Sequence, residues 1–189
     1  MKHIAIFASG KGTNAKNIIQ YFHLNPEIKI EFIICNNPTA GVIEVANEAN
    51  IPYYLISRKD LYETDRVLDL LKNSNIDLIV LAGFLWMIPE KILETFPKKI
   101  INIHPALLPK HGGAGMYSLR VHESVIAAKD KETGITIHYL NEKFDEGEII
   151  FQKSIPVEGE EDTVETIAQR VQELEYEWYP KIIEQLLSS

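Results

Sequence analysis

Hydrophobic residues in the first half of the chain form short, nearly continuous runs that alternate with longer stretches of helical spacing. The run 76–82 is almost wholly apolar, as is typical of a strand buried on both faces of a parallel sheet. The predicted strands are His3–Ala8, Ile30–Cys35, Tyr53–Ile56, Ile76–Ala82 and Lys99–His104. The predicted helices are about Thr13–Phe22, Gly41–Ala49, Asp60–Lys72 and Pro89–Thr95. Repeated β-α units predict a parallel sheet with right-handed crossovers.

The second half of the chain changes character after a Gly-rich loop at His111–Met116. The elements predicted there are a helix at about Tyr117–Lys129, strands at Thr133–Leu140 and Ile149–Val157, and a long final helix to about Leu187. Asp162 and Glu165 are predicted to form a capping box for that last helix. The expected fold is a single α/β domain over residues 1–189. It is Rossmann-like, with a mostly parallel central sheet, helices on both faces and an antiparallel strand in the C-terminal half.

Composition narrows the class of protein. The chain has 189 residues, of which 46% are hydrophobic, and its net charge of −8 argues against a general nucleic-acid binder. The one cysteine, Cys35, follows an apolar run and is predicted to be a buried core residue. No apolar run approaches the ~20 residues of a membrane span, and the chain enters a strand directly, without a signal peptide. We therefore expect a cytoplasmic enzyme with no nucleic-acid or membrane partner.

The strongest chemical signal is the run 100–109, in which an apolar strand carries Asn102 and His104 and then ends at two prolines. Residues i and i+2 of a strand share a face, so both polar side chains are expected to point into one space. An amide beside an imidazole suits a carbonyl whose oxygen becomes negative during reaction. The alternative is a strand end whose polar groups bond only to the backbone. The place of Asn102 and His104 at the carboxyl end of a strand favours a ligand site over this alternative.

The loop 9–15 joins the first strand to the first helix and contains Gly-Lys-Gly. It lacks the spacing of a P-loop but fits Gly-x-Gly-x-x-Ala, the looser dinucleotide fingerprint. The second strand runs into Asn36 and Asn37, where an NAD enzyme would usually place an acid. Two interpretations remain open for this loop: a site for one phosphate at the helix N-terminus, or a tight turn with an N-cap at Thr13 or Asn14.

The other polar candidates carry weaker signals. Asp145 is either part of a hairpin turn or a carboxylate that raises the pKa of His104 from roughly 6.5. His138 alternates with apolar residues on its strand and is predicted to be structural, while His111 and His122 are predicted to lie at the surface. For Trp86, core packing and an apolar wall for a flat ring remain equally open. No cluster has metal-ligand spacing and no nucleophile elbow is present, so we expect neither a metal nor a covalent intermediate.

Together these motifs resemble the folate-dependent formyltransferases, and among them the phosphoribosylglycinamide formyltransferase (glycinamide ribonucleotide transformylase) family, over nearly the whole chain. The matching pieces are Ser9–Asn14, Leu81–Phe84, Asn102–Lys110, Gly134–His138, Phe144–Gly147 and Ile149–Gln152. The resemblance implies that 10-formyltetrahydrofolate donates a formyl group to the amine of glycinamide ribonucleotide (GAR). It also implies a direct transfer through a tetrahedral intermediate.

The resemblance assigns roles residue by residue. The catalytic positions are Asn102, His104 and Asp145. The GAR-binding positions are Gly12, Thr13, Asn14, Gln172 and Glu175. The folate-binding positions are Leu85, Trp86, Met87, Ile88, Asn102, Asn141, Phe144 and Asp145. The chain departs from many members at Ala114, where they carry a lysine, and at 118–120. For the folate glutamate tail, only Arg58 and Lys59 are nearby candidates.

Other classes of protein share parts of this sequence pattern. A formyltetrahydrofolate hydrolase, a methionyl-tRNA formyltransferase and a sugar-nucleotide formyltransferase usually carry extra domains or length, so we expect none of these three activities from the 189 residues. A non-catalytic nucleotide-binding protein would use the Gly12 loop without needing Asn102, His104 and Asp145. An NAD-dependent oxidoreductase is weakened by Asn36 and Asn37. The sequence does not give the oligomeric state.

Overall fold

The structure is a computed structural model that describes residues 1–188, apart from the side chain at position 160. The strands are β1 (Lys2–Ala8), β2 (Ile28–Cys35), β3 (Tyr53–Leu55), β4 (Leu78–Leu81), β5 (Ile100–His104), β6 (Glu132–Tyr139) and β7 (Ile149–Pro156). The helices are α1 (Thr13–Phe22), α2 (Val42–Glu48), α3 (Arg58–Tyr62), α4 (Arg66–Asn73), α5 (Glu90–Thr95), α6 (Leu119–Ala127) and α7 (Val164–Leu187), with a 3-10 turn at Gly159–Glu161.

Within residues 1–188 the seven strands form one sheet in the order β3-β2-β1-β4-β5-β6-β7. β1 pairs in parallel with both β2 and β4, β2 pairs in parallel with β3, and β6 pairs with β7 in antiparallel fashion. The predicted α/β class is therefore confirmed, with its mostly parallel sheet and an antiparallel strand in the C-terminal half. Contacts divide the chain into two compact units. The prediction of a single domain stays a prediction.

The first unit comprises Met1–Ile101 together with the chain from Ile183 onward. Its core is built on β1, where the five residues from Ile4 to Ala8 are fully buried. α1 buries Ala15, Ile18, Ile19 and Phe22, the i, i+3, i+4, i+7 pattern of a helix that packs one face on a core. The predicted N-cap at Thr13 or Asn14 is wrong, because the helix begins at Thr13 and its N-cap is Gly12, which has no side chain.

The second unit is Asn102–Ile182, and it holds the end of β5, the β6–β7 pair and α6. β6 is buried along almost its whole length, and Thr136 faces Gln152 across the antiparallel pair. At Gly134 the neighbouring strand approaches so closely that a Cβ would lie 1.9 Å from the carbonyl oxygen of Lys153. This glycine is therefore required by the pairing of β6 with β7.

Several predicted boundaries differ from the structure. The single helix predicted at Asp60–Lys72 is two helices, because the chain turns at 63–65 between α3 and α4. The first of them begins earlier than predicted, since Ser57 and Asp60 form a reciprocal capping box at its N-terminus. At the last helix the predicted Asp162–Glu165 box is wrong. The Thr163 hydroxyl accepts from the Thr166 N–H at 3.2 Å, and the Thr166 hydroxyl accepts from the Thr163 N–H at 2.9 Å.

Hydropathy along the helices bears on membrane association. Among residues 1–188, none of the helices combines the length and the apolar character that crossing a bilayer requires. The longest, α7, carries charged residues along its length and a proline at position 180.

Candidate active site

The carboxyl end of β5 places Asn102 and His104 where the sequence predicts them, two residues apart on one strand of the second unit. His104 is 3% exposed. Its Nδ1 lies 3.5 Å from Oδ2 of Asp145, which precedes β7. The structure thus brings His104 and Asp145 together although they are distant in sequence. Asp145 lies in the turn before β7, as one interpretation predicts, and its carboxylate also faces the imidazole, so its catalytic role stays a prediction.

The main chain around Asp145 is shaped to deliver its carboxylate. Asp145 has φ +56°, in the left-handed region that aspartate tolerates better than most residues. Its Oδ2 accepts a hydrogen bond from the Gly113 N–H at 2.9 Å. Two residues later, a Cβ on Gly147 would lie 1.7 Å from the carbonyl oxygen of Tyr139, so only glycine allows this approach. The Gly-rich loop and the turn before β7 therefore meet at the carboxylate.

His138 on β6 joins these groups. Its Nε2 accepts from Nδ2 of Asn102 at 3.3 Å and lies 3.7 Å from Oδ1 of Asp145, while its Nδ1 donates to the carbonyl of Tyr139 at 2.9 Å. The predicted structural histidine is indeed buried, but its Nε2 also orients Asn102, one of the proposed catalytic residues. Sequence analysis missed this second role. The available signal was the place of His138 on a strand that neighbours the Asn102 strand.

The pKa of His104 is shifted in the direction opposite to the prediction. Burial lowers the pKa of His104, and this effect outweighs the Asp145 carboxylate and the His111 carbonyl, which both raise it. The predicted raised pKa is therefore wrong for the free protein. For Asp145, burial raises the carboxyl pKa, whereas contacts with His138, His104 and the Gly113 N–H lower it. Together these contacts outweigh burial, so the pKa of Asp145 lies below the ordinary value. An ionised carboxylate thus faces a largely neutral imidazole near neutral pH.

The turn after His104 is fixed by a buried hydroxyl. Oγ1 of Thr136 donates to the carbonyl of Ala106 at 2.7 Å and accepts from the Leu108 N–H at 2.9 Å. Nε2 of Gln152 donates to the same hydroxyl at 2.9 Å and to the Leu108 carbonyl at 3.0 Å. These bonds tie the 105–109 turn to β6 and β7, so the end of β5 is held rigidly.

His111 and His122, predicted at the surface, are both largely buried. The side chain of His111 is 9% exposed, and His122 is 5% exposed. Burial lowers the pKa of His122 to about 4, with a further contribution from the charge of His104. The prediction fails because α6 and the Gly-rich loop turn these imidazoles inward, which local sequence does not reveal.

In the first unit, the loop at Gly12 is a tight turn whose main chain lies close to Val42. Gly12 has φ +79°, and a Cβ there would lie 2.7 Å from Cα of Val42. The turn lets α1 begin directly against α2, and the helix has no side-chain cap from its N-cap residue. Thr13 and Asn14 follow in the first turn. The tight-turn interpretation is thus observed, and phosphate binding at the same N-terminus stays a proposal.

The segment Leu85–Ile88 forms a partly exposed apolar surface of the first unit. Leu85 is 54% and Met87 37% exposed, while Ile88 is buried. Trp86 is half-buried, and the Arg58 guanidinium lies over its ring at 4.9 Å. Tyr62 donates its hydroxyl to the Met87 carbonyl at 3.0 Å. Trp86 is therefore neither a plain core residue nor fully solvated.

The remaining predicted residues lie in the second unit. Gln172 and Glu175 are half-buried on α7 and three residues apart, which places them on one face of that helix. Asn141 accepts from the Lys143 N–H at 2.9 Å, and Phe144 is 42% exposed in the turn before β7. Among residues 1–188, no three histidine, cysteine or acidic side chains are grouped so as to hold a metal ion.

Comparisons with known proteins agree with this geometry. The family model described as formyl transferase matches residues 2–183. A phosphoribosylglycinamide formyltransferase of Bacillus subtilis is 38% identical over 99% of this chain and 95% of its own length, and one of Haemophilus influenzae is 38% identical over 97% and 86%. The crystal structure of the Anaplasma phagocytophilum phosphoribosylglycinamide formyltransferase superposes with a TM-score of 0.90 at 32% identity, covering 100% of this chain and 87% of that one. This chain belongs to the formyl transferase family.

Proposed function

We propose that this chain transfers the formyl group of 10-formyltetrahydrofolate to the amine of GAR, giving formyl-GAR and tetrahydrofolate in de novo purine synthesis. The observation that carries the proposal is the cluster of Asn102, His104 and Asp145 at the end of β5, in a chain whose relatives carry the corresponding name. An amide, an imidazole and a carboxylate around one point suit acyl transfer to an amine.

In this mechanism the GAR amine attacks the formyl carbon, so a C–N bond forms and the carbonyl oxygen becomes negative. The Asn102 amide stabilises this oxyanion together with His104, which takes up a proton from solvent as the oxygen becomes negative and returns it when the intermediate collapses; one such donor is typically worth about 3 kcal/mol. The bond from the formyl carbon to the folate nitrogen then breaks. A water positioned by Asp145 carries the proton from the attacking amine to that leaving nitrogen, so no covalent enzyme intermediate is needed.

The two substrates are assigned to named segments of the chain. In the first unit, the exposed apolar side chains of Leu85 and Met87, together with Trp86, would contact the folate. In the second unit, Asn141, Phe144 and Asp145 are the proposed folate contacts. The N-terminus of α1, at Gly12 with Thr13 and Asn14, would hold the GAR phosphate, since free N–H groups there favour an anion. Gln172 and Glu175 on α7 would contact the remainder of GAR. No metal takes part in this scheme.

An absorbance assay with a 10-formyl folate analogue tests the proposal. Mixing the analogue, GAR and the protein should give turnover that disappears when GAR is omitted. Turnover without GAR would instead identify a hydrolase, and none under either condition would favour a binding protein without activity.

The same assay tests the residue roles. His104→Ala and Asp145→Ala should each lower kcat at least about a hundredfold, because each removes an electrostatic contribution to the transition state. The matched control is His23→Ala, which removes an exposed histidine just after α1 and should leave kcat unchanged. Near-normal turnover in both site variants would refute the assignment.

We also place the reaction in the cytoplasm. The only cysteine of the chain, Cys35, is buried as a free thiol, so the fold does not depend on an oxidising compartment. Fractionation of the source cells, followed by the formyl-transfer assay on each fraction, should recover the activity with cytoplasmic markers. Recovery with a membrane or organelle fraction would contradict this placement.

A further inference from the structure

His111, outside the proposed catalytic set, is held at both of its ring nitrogens. Its Nδ1 lies 2.8 Å from Oγ of Ser124 on α6, and its Nε2 lies 2.8 Å from Oδ2 of Asp130, just beyond that helix. The side chains of His111 and Asp130 are 9% and 19% exposed. A neutral imidazole fits this clamp with Nε2–H donating to the carboxylate and Nδ1 accepting from the hydroxyl.

The main chain of His111 adopts a conformation that such a clamp would have to maintain. Its φ is +56°, in the left-handed region that histidine adopts rarely outside special turns. In this conformation its carbonyl oxygen lies 2.8 Å from Nε2 of His104. The side chain of one histidine is therefore anchored while its main chain contacts the other.

This contact decides which nitrogen of His104 carries its proton. A carbonyl oxygen can only accept, so Nε2 of His104 must be protonated, and in the neutral ring Nδ1 is the bare nitrogen. Nδ1 is the atom that faces Asp145 at 3.5 Å. Because a bare nitrogen cannot donate to the carboxylate, this separation is a contact without a hydrogen bond, and Nδ1 stays open to take up a proton.

We infer that His111, clamped by Ser124 and Asp130, is a positioning residue for His104: its carbonyl fixes the tautomer so that proton exchange takes place only at Nδ1, beside Asp145. The inference rests on the proposed function, because it assigns a role in that reaction. Without the clamp, His104 could donate from Nδ1 to Asp145 and leave Nε2 bare, which is the wrong tautomer for taking up a proton next to the carboxylate.

The surrounding charges are consistent with this arrangement. The titratable groups that influence His104 are Asp145, His138, His111 and His122. Asp130 stays ionised, because the hydrogen bond from His111 and then the contact with Lys110 lower the pKa of its carboxyl. The anion that holds His111 is thus available throughout the neutral range.

The test compares His111→Asn with Lys110→Ala. Asparagine tolerates the left-handed conformation but is too short to span both anchors, so this variant removes the clamp without forbidding the turn. Lys110→Ala removes only an exposed ion pair with Asp130, whose lysine side chain is 69% exposed. We expect kcat to fall about tenfold or more in His111→Asn with KM little changed, and both constants to stay within about twofold in Lys110→Ala.

A second readout does not depend on turnover. Nitrogen-15 NMR of the histidine rings should report the Nε2–H tautomer of His104 in the wild type, and a mixture of tautomers in His111→Asn and in Asp130→Ala. An unchanged tautomer in both variants would overturn the inference, as would an equal loss of kcat in Lys110→Ala. A wild type without formyl transfer would refute the proposed function instead, and the NMR result would still decide the tautomer.

Discussion

Thr136 offers a sharp test of how the fold holds the candidate site, because its hydroxyl is fully buried on β6 and its replacement by valine keeps the shape of the side chain. Thr136→Val removes one donor and one acceptor and leaves the methyl packing in place. The change therefore isolates the hydrogen bonds from the core contacts.

The expected cost follows from the partners left behind. Loss of Oγ1 leaves the Ala106 carbonyl and the Leu108 N–H without this partner, whereas Nε2 of Gln152 keeps its bond to the Leu108 carbonyl. Ala106 is 0% and Leu108 5% exposed, so water cannot easily replace the lost hydroxyl. At about 1–3 kcal/mol for each of these two buried unsatisfied groups, the free energy of unfolding should fall by about 2–6 kcal/mol. At about 2–4 °C per kcal/mol for a chain of this size, that lowers Tm by roughly 4–24 °C.

The same strand supplies a matched control. Thr133 is 2% exposed, and its Oγ1 is buried without a hydrogen-bonding partner among the described residues. Thr133→Val therefore removes an unsatisfied polar group and should leave stability unchanged or raise it by up to about 2 kcal/mol. The two variants make the same chemical change on one strand and are expected to shift stability in opposite directions.

Thermal unfolding followed by circular dichroism, together with urea titration, measures both variants. The formyl-transfer assay adds a second readout, because the 105–109 turn directly follows His104 and its loosening should lower kcat in Thr136→Val alone. If Thr136→Val melted within about 2 °C of the wild type, the hydroxyl would not be holding the turn. Equal shifts in the two variants would refute the assignment of the effect to hydrogen bonding.

Three further predictions concern titration and reactivity. Hydrogen bonds from Ser57 and the contact with Arg66 lower the pKa of Asp60 to about 2. The contribution of its carboxylate to stability is therefore complete above about pH 4 and is lost toward pH 2. The Tm difference between wild type and Asp60→Asn should shrink over that range. His122, with a pKa lowered to about 4, binds protons more readily when unfolded, so stability should fall between about pH 6.5 and pH 4, and His122→Phe should flatten that part of the profile. Burial raises the pKa of the Cys35 thiol, so a thiol reagent should modify it only after unfolding, and rapid labelling of the native protein would contradict its burial.

The layout of the sheet could be predicted because its signal is local. Each buried strand of the first unit is a short apolar run, and β4 with its four buried residues is the clearest case. The pairing of Asn102 with His104 on one strand face also follows from a two-residue spacing. Boundaries were less secure where capping decides them. The Ser57–Asp60 box starts α3 before the predicted boundary, and hydrophobic spacing alone does not reveal the turn at 63–65 that follows it.

The parts that sequence could not supply depend on contacts between distant segments. His138 orients Asn102 because β6 lies beside β5, and the residues around position 138 predict a strand without showing which strand pairs with it. His111 and His122 are polar residues in and beside a Gly-rich loop, a context that predicts exposure, yet the 104–130 segment folds back on His104 and buries them. Long-range pairing, and not propensity, decides these positions.

The lowered pKa of His104 has a consequence for catalysis. The sequence indicates the Asp145 carboxylate but not the burial of the His104 imidazole. Burial has the larger effect on the pKa of His104. An imidazole that is neutral in the free protein takes up a proton from solvent when a negative oxygen develops next to it, and returns that proton when the intermediate collapses. The interaction is then stronger in the transition state than with the neutral formyl carbonyl, and only such a difference raises kcat. Burial that weakens His104 as a resting cation therefore makes it more selective for the oxyanion.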